Sequence, residues 1–140
     1  MSLLPLLWAA ATAWAAPSAG TADWKVIAKA SDETPAMAYD AARTRYEAPY
    51  LTSWTRVVPP APATLSNGRQ YKSALQKVAI DCAARTWAVT YSEFFSSRDA
   101  SGTAIFFYAI PADDWDLRPA RANTNGARLV NALCATPKGW

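Results

Sequence analysis

The chain has 140 residues, a formal net charge of +3, two cysteines and no histidine. That length is typical of a single domain. The charge is modest and forms no Lys/Arg block, which argues against nucleic acid as a partner. Without histidine the chain lacks the commonest general base and metal ligand. Its five glycines are dispersed and form no phosphate-binding loop, so no cofactor and no metal site are predicted.

The first residues predict an export signal. Residues 3–16 are apolar and end in Ala13-Trp14-Ala15-Ala16, the small-residue pattern that signal peptidases require. The stretch is shorter than the roughly 20 residues of a membrane-spanning helix, and no later stretch is long and apolar enough for a transmembrane segment. We therefore expect a signal peptide over 1–16, a flexible segment over 17–22, one domain over 23–136 and a tail over 137–140. A buried N-terminal helix or a membrane anchor is the alternative.

The two cysteines predict one disulfide, because an even count in an exported chain is typical of a bridge. Joining Cys82 to Cys134 closes a long loop, which the chain-entropy model credits with roughly 4 kcal/mol. Two buried free thiols are the alternative. Neither cysteine directly follows the signal segment, so no lipid attachment is expected. The predicted location is therefore periplasmic, secreted or at the cell surface.

The first half of the domain predicts three strands. Residues 23–30 alternate imperfectly between apolar and polar, residues 36–39 are short enough to return against them, and residues 50–58 are rich in aromatic and β-branched side chains. Prolines in 59–62 end the third strand. Residues 66–68, Ser-Asn-Gly, are the strongest turn signal of the chain.

Residues 71–97 contain two apolar sets of opposite parity. These are Val78, Ile80 and Cys82, and then Trp87, Val89 and Tyr91. One uninterrupted strand would turn its core-facing side over midway, which a half-buried sheet does not tolerate. A bulge or tight bend near residues 83–84 is therefore predicted.

The last third predicts a hairpin and a helix. A turn over 98–102 precedes a returning strand over 104–110, and an irregular acidic connection follows over 113–119. The polar residues at 123–126 are N-cap candidates. Ala127, Val130 and Cys134 then recur at helical spacing. The predicted fold class is α+β, a small antiparallel β-sheet of about six strands with one C-terminal α-helix tied to the sheet by a disulfide.

One acidic cluster is the main enzymatic candidate. Asp113, Asp114 and Asp116 surround Trp115, and paired carboxylates can act as acid and base or bind calcium. A solvated loop whose aspartates cap turns is the favoured interpretation. No catalytic residue is predicted.

Basic residues predominate in the middle of the chain. They are Arg43, Arg45, Arg56, Arg69, Lys72, Lys77 and Arg85, set against the two acids Glu47 and Asp81. On one face of a sheet they would make a positive surface for an anionic polymer or an acidic protein, with Tyr50 and Trp54 as aromatic anchors. The alternative is that these basic residues are ordinary solvated side chains that form no binding surface.

Several segments, in this order, resemble the surface-adhesin protein E-like family of Gram-negative bacteria. They are a Trp-led first strand (Asp23-Trp24), a short strand ending in Asp40, a Trp54-bearing strand, Asp81-Cys82-Ala-Ala-Arg85, a late Trp115 and a helix with Cys134. The resemblance implies an antiparallel sheet with a disulfide-fixed C-terminal helix, and a homodimer. It also implies adhesin-like binding of extracellular protein, and it implies no catalytic residues in this chain.

The leading hypothesis is thus an exported, non-catalytic binding module that contacts a protein or an anionic polymer, such as an extracellular-matrix-like or envelope component. The alternatives are a periplasmic structural or assembly protein without an external ligand, and a carboxylate-dependent hydrolase. The hydrolase hypothesis requires the three clustered aspartates to converge on a pocket.

Overall fold

An eight-stranded antiparallel sheet forms the body of the protein. The computed structural model describes residues 22–31 and 34–135, so the predicted signal peptide and the C-terminal tail lie outside the described residues. The sheet strands are Trp24–Ala28 (β1), Ala36–Asp40 (β2), Arg45–Glu47 (β3), Tyr50–Val58 (β4), Ser73–Asp81 (β7), Thr86–Phe95 (β8), Phe106–Ala109 (β9) and Arg118–Pro119 (β10). Ala63–Thr64 (β5) and Gln70–Tyr71 (β6) form a separate two-stranded hairpin.

The strands follow the order β1-β2-β4-β7-β8-β10, with β3 beside β4 and β9 beside β8. The described residues also include two short 3-10 helices, Ala41–Arg43 and Ala112–Asp114, which interrupt the connections, and one α-helix, Asn125–Cys134 (α1), near their C-terminal end. The predicted α+β class and C-terminal helix are confirmed. The sheet has more strands than the six or so expected, because strands of two or three residues such as β3 and β10 are too short to show a periodicity.

The sheet has two unlike faces, since side chains alternate along each strand. One face, here called the helix face, packs against α1. Its core contains Met37, Leu51, Val78 and Ile80 from the strands and three apolar side chains of the helix, Leu129, Val130 and Leu133. The opposite face, here called the open face, bears Trp24, Arg56, Trp54, Lys77 and Tyr91, as their strand registers require.

A tight turn over residues 82–85 joins β7 to β8, as the parity change predicts. The turn pairs Ile80 with Trp87, which puts both side chains on the helix face. The Asp81 carboxylate stabilises the turn by accepting the Ala84 N–H at 3.1 Å. The expectation that Tyr91 shares the face of Trp87 is wrong, because the register shifts between Lys77 and Val78 and turns Tyr91 to the open face.

The helix is capped at its N-terminus and held to the sheet at its C-terminus. Thr124 caps its N-terminus by accepting the Ala127 N–H at 3.2 Å. At the other end the predicted Cys82–Cys134 disulfide is present, with the two Cα atoms 5.6 Å apart. Within the described part of the chain, no helix is long and apolar enough to cross a membrane.

Candidate functional site: an arginine–aromatic row on the open face

Five side chains of the open face contact one another in a row that crosses the sheet. Their order is Arg56, Trp24, Arg43, Trp54 and Tyr91, and we call them the arginine–aromatic row. The Arg56 guanidinium lies 4.7 Å from the centre of the Trp24 ring. Arg43 lies between the two indoles, 5.9 Å from Trp24 and 5.2 Å from Trp54. Trp54 meets Tyr91 edge to face, with 5.6 Å between ring centres.

The row is held by three cation–π contacts and one edge-to-face ring pair. A guanidinium over an indole contributes roughly 0.5–1 kcal/mol when exposed and about 2 kcal/mol when desolvated. All five residues are half-buried, so each arginine–indole contact lies between the exposed and the desolvated case. The row therefore holds two arginines over indole rings, and among the described residues the Nη groups of both arginines donate no hydrogen bond within the chain.

Asp40 positions Arg43 within the row. It is the last residue of β2 and is fully buried at 0% exposure. One carboxylate oxygen accepts the Asp23 N–H at 2.8 Å and the Ala42 N–H at 3.0 Å, while the other accepts Arg43 Nε at 2.6 Å. The carboxylate thereby caps the 3-10 helix that carries Arg43. Three donors on one carboxylate leave Arg43 little freedom to leave the row.

These donors also determine the charge state of Asp40. Burial by itself raises the pKa of the carboxyl group, and the hydrogen bonds from Asp23, Arg43 and Ala42 lower it. The hydrogen bonds and the Arg43 charge outweigh burial, so the pKa of Asp40 lies below its ordinary value. Asp40 is accordingly ionised at neutral pH, and its negative charge is matched by Arg43.

Two acids lie among the basic residues of the open face. Glu47 pairs with Lys77 at 3.4 Å, and Glu93 accepts the Tyr91 hydroxyl at 2.6 Å. Burial, followed by this hydrogen bond and the charge of Glu93, raises the pKa of Tyr91 to about 12. The open face therefore carries mixed charge, with the unmatched positive charge concentrated at Arg56 and Arg45, which form no ion pair within the described residues.

The structure brings some of the predicted surface residues together and separates others. Those on the open face or at its edge are Arg43, Arg45, Arg56, Lys77, Tyr50 and Trp54. The other three lie elsewhere. Arg69 donates to the Ile105 carbonyl at 3.3 Å, Lys72 is exposed just before β7, and Arg85 donates to Asn131 of the helix. Six of the nine predicted residues thus lie on the open face or at its edge.

A loop covers one end of the open face. Residues 110–117 leave the edge of the sheet and bring Trp115 onto Tyr50, with 5.7 Å between ring centres. The indole N–H of Trp115 donates to the Ile110 carbonyl at 2.7 Å, which fixes the loop. Tyr50 is consequently a support for this loop rather than a free anchor.

The acidic cluster does not form a catalytic arrangement. The side chains of Asp113, Asp114 and Asp116 are all exposed, and Asp116 is paired with Arg118 at 2.7 Å. Within the described residues no group of His, Cys, Asp and Glu could hold a metal ion. The convergence that the hydrolase hypothesis requires is not found.

Sequence reasoning did not assign three members of this site to it: Trp24, Asp40 and Tyr91. The strand pattern identified Trp24 and Tyr91 as sheet residues, but their face depends on pairing with distant strands. Asp40 had a local signal, because an aspartate just before a polar segment is a typical cap. Its ion pair with Arg43 lies within three residues of the sequence, whereas Arg43 contacts Trp24 and Trp54 only because distant segments pack together.

Comparison with known proteins places the chain in a family. The family model for surface-adhesin protein E matches residues 24–135, which include every strand of the sheet and the helix. No curated protein and no solved structure matches the chain. The match spans most of the 140 residues and includes the row, the disulfide and the helix. The chain therefore belongs to the surface-adhesin protein E family.

Proposed function

We propose that this protein is a non-catalytic adhesin-like binding module whose partner contacts the arginine–aromatic row. The observation that supports this most is the pair of arginines held over Trp24 and Trp54 at 4.7 and 5.2 Å. Arginine, tryptophan and tyrosine are the residues in which the binding energy of protein interfaces is concentrated. Held in place, the two guanidiniums lose little conformational entropy on binding.

We further propose that the partner is a protein with exposed carboxylates rather than a uniformly anionic polymer. Glu93 forms no ion pair within the described residues, lies on the same face as the arginines and would repel a polymer that is negative along its whole length. A protein surface can place carboxylates over Arg43 and Arg56 and neutral or basic groups over Glu93. Val26 and Phe107, each 66% exposed, add apolar contact area at opposite edges of the face.

An interaction assay with the full chain tests this proposal. Purified extracellular-matrix proteins and heparin are immobilised separately, and binding is measured at low and at physiological ionic strength. Arg56→Gln removes a charge and the contact with Trp24, and a hot-spot position of this kind contributes about 2 kcal/mol, or roughly thirtyfold in affinity. Arg98→Gln is the matched control, because it removes one charge from an exposed loop outside the row.

The expected result is binding to at least one matrix protein that Arg56→Gln weakens about thirtyfold and Arg98→Gln leaves within about twofold. Binding to heparin alone would favour the anionic polymer over the protein. Failure to bind any probe at low ionic strength, where charge interactions are strongest, would count against the proposal as a whole.

The structure also offers an argument for the alternative of a structural or assembly protein. Each member of the row is half-buried and has a partner inside the chain, so the row also stabilises the sheet by itself. Protease treatment of intact cells separates the two functions: an adhesin is digested from outside, whereas a periplasmic assembly protein is protected.

We place this module in an exported chain, in the periplasm, secreted or at the cell surface. The family supports a location at the cell surface. The proposed organisation is a signal peptide over 1–16, a linker over 17–22, the binding domain over 23–136 and a tail over 137–140, with a homodimer as the proposed assembly. N-terminal sequencing of the exported protein and its mass in solution test these points.

A further inference from the structure

A cleft of about 550 Å³ lies beside β8 on the opposite edge of the sheet from β1. Its walls include Trp87, Val89, Asp116, Arg121 and Gly126. The volume is within the range of about 300–1,000 Å³ that small-molecule sites occupy. The cleft is separate from the arginine–aromatic row, and none of the row residues line it.

The cleft lies at a gap in the strand pairing of β8. The short strand β10 pairs with Thr86 and Trp87, and β9 pairs with residues 91–94. The Ile110 N–H reaches the Thr90 carbonyl at 2.9 Å, after which the chain turns away. Between these contacts Val89 has no ladder partner on this edge among the described residues, and the alternation of an antiparallel strand turns its N–H and C=O toward the gap.

The indole of Trp87 forms one wall of the cleft. The indole of Trp87 packs so closely on the start of α1 that a Cβ atom at Gly126 would lie 2.6 Å from the ring. No side chain fits between them, so the ring packs directly on the start of the helix. A preformed apolar surface of this kind costs a ligand little reorganisation.

The charges around the cleft leave one cation unmatched. Arg118 pairs with Asp116, through Nε at 2.8 Å and through Nη2 at 2.7 Å. Arg121 forms no ion pair within the described part of the chain. Among the described residues, the cleft therefore combines an apolar wall (Trp87 and Val89), a guanidinium without an ion pair and a backbone N–H without a ladder partner on this edge.

We propose that this cleft binds a small organic acid with an apolar body. Its carboxylate pairs with Arg121 and accepts the Val89 N–H, and its apolar part packs on Trp87. A carboxylate satisfies both donors, because it accepts several hydrogen bonds at once and is favoured by charge. This inference is independent of the proposed adhesin function, since it uses another edge of the sheet.

Titration of the full-length, isotope-labelled protein by NMR tests the proposal, with phenylpropionate as the probe and phenylpropionamide as its neutral counterpart. We expect saturable shifts of the Val89 amide and the Trp87 indole resonances with the acid. We expect the amide to bind at least about tenfold more weakly, since a hydrogen bond to a charged group contributes more than a neutral one. Arg121→Gln should weaken the acid by a similar factor without affecting the amide.

Two controls keep the result interpretable. Arg98→Gln removes an equal charge far from the cleft and should leave acid binding unchanged, and the far-UV circular dichroism of both variants should match the unaltered protein. Equal binding of acid and amide, or an Arg121→Gln variant that binds the acid normally, would refute the carboxylate site. Shifts confined to residues outside the cleft would refute it as well.

Discussion

Replacement of Asp40 by asparagine tests whether this buried carboxylate positions Arg43 and thereby the arginine–aromatic row. One oxygen of Asp40 accepts two backbone N–H groups, and the other accepts Arg43 Nε. An asparagine carbonyl can keep the two backbone bonds. Its NH2 group then faces the guanidinium, donor against donor, and the matched charge is lost.

The size of the effect follows from the burial of the pair. Asp40 is 0% exposed and the side chain of Arg43 is 21% exposed. Removing one partner of a buried ion pair costs about 3–5 kcal/mol. Because Arg43 is partly exposed and can turn toward solvent, we expect the lower end, about 3 kcal/mol of unfolding free energy. Without its anchor Arg43 should also leave Trp54, and binding through the row should weaken.

The pH dependence has a definite sign. The pKa of Asp40 is lowered in the folded state, whereas an unfolded aspartate titrates near 3.9. The ionised carboxylate therefore contributes its full stabilisation above about pH 4–5. That contribution is lost as the pH falls through the lower folded-state pKa. The stability difference between the protein and Asp40→Asn should accordingly be constant near neutrality and shrink in acid.

Urea denaturation followed by tryptophan fluorescence measures both quantities. Asp114→Asn is the control, since it removes an exposed carboxylate outside the row and should change stability by less than about 0.5 kcal/mol. The reasoning is refuted if Asp40→Asn costs under 1 kcal/mol at neutral pH. A difference that persists undiminished at the lowest pH would contradict the assigned charge state.

Three further predictions concern stability and titration. Cys134→Ser opens a bridge with a sequence separation of 52 and should lower the unfolding free energy by about 4 kcal/mol. Adding reductant to the unaltered protein should have the same effect. A loss of unfolding free energy under 1 kcal/mol would contradict the loop-entropy account. Gly126→Ala places a Cβ 2.6 Å from Trp87 and should lower the unfolding free energy by about 1–3 kcal/mol in the same assay. This loss is expected although alanine is the better helix former. A gain in stability would show that the indole can move. Glu93→Gln should lower the pKa of Tyr91 from about 12, measured by ultraviolet titration of the phenols, and an unchanged curve would show that burial alone raises it.

The sequence by itself was sufficient for the features that depend on local pattern. A composition rich in aromatic and β-branched residues predicted the strand over residues 50–58. Alternation predicted the opposite parities of Ile80 and Trp87, which the turn at 82–85 explains. Helical spacing and a cap signal predicted the C-terminal helix, and two cysteines in a chain with an export signal predicted their own pairing. Each of these depends on neighbouring residues or on simple counting.

Tertiary structure alone decided which of the basic and aromatic residues form a site. One register shift beside Lys77 turns Tyr91 to the open face, and no periodicity within β8 reveals it. Trp24 meets Arg56 only because β1 and β4 both pair with β2. Contacts across three strands depend on strand register and on which elements cover each face of the sheet. The sequence therefore identified candidate residues, and tertiary packing decided which of them lie together.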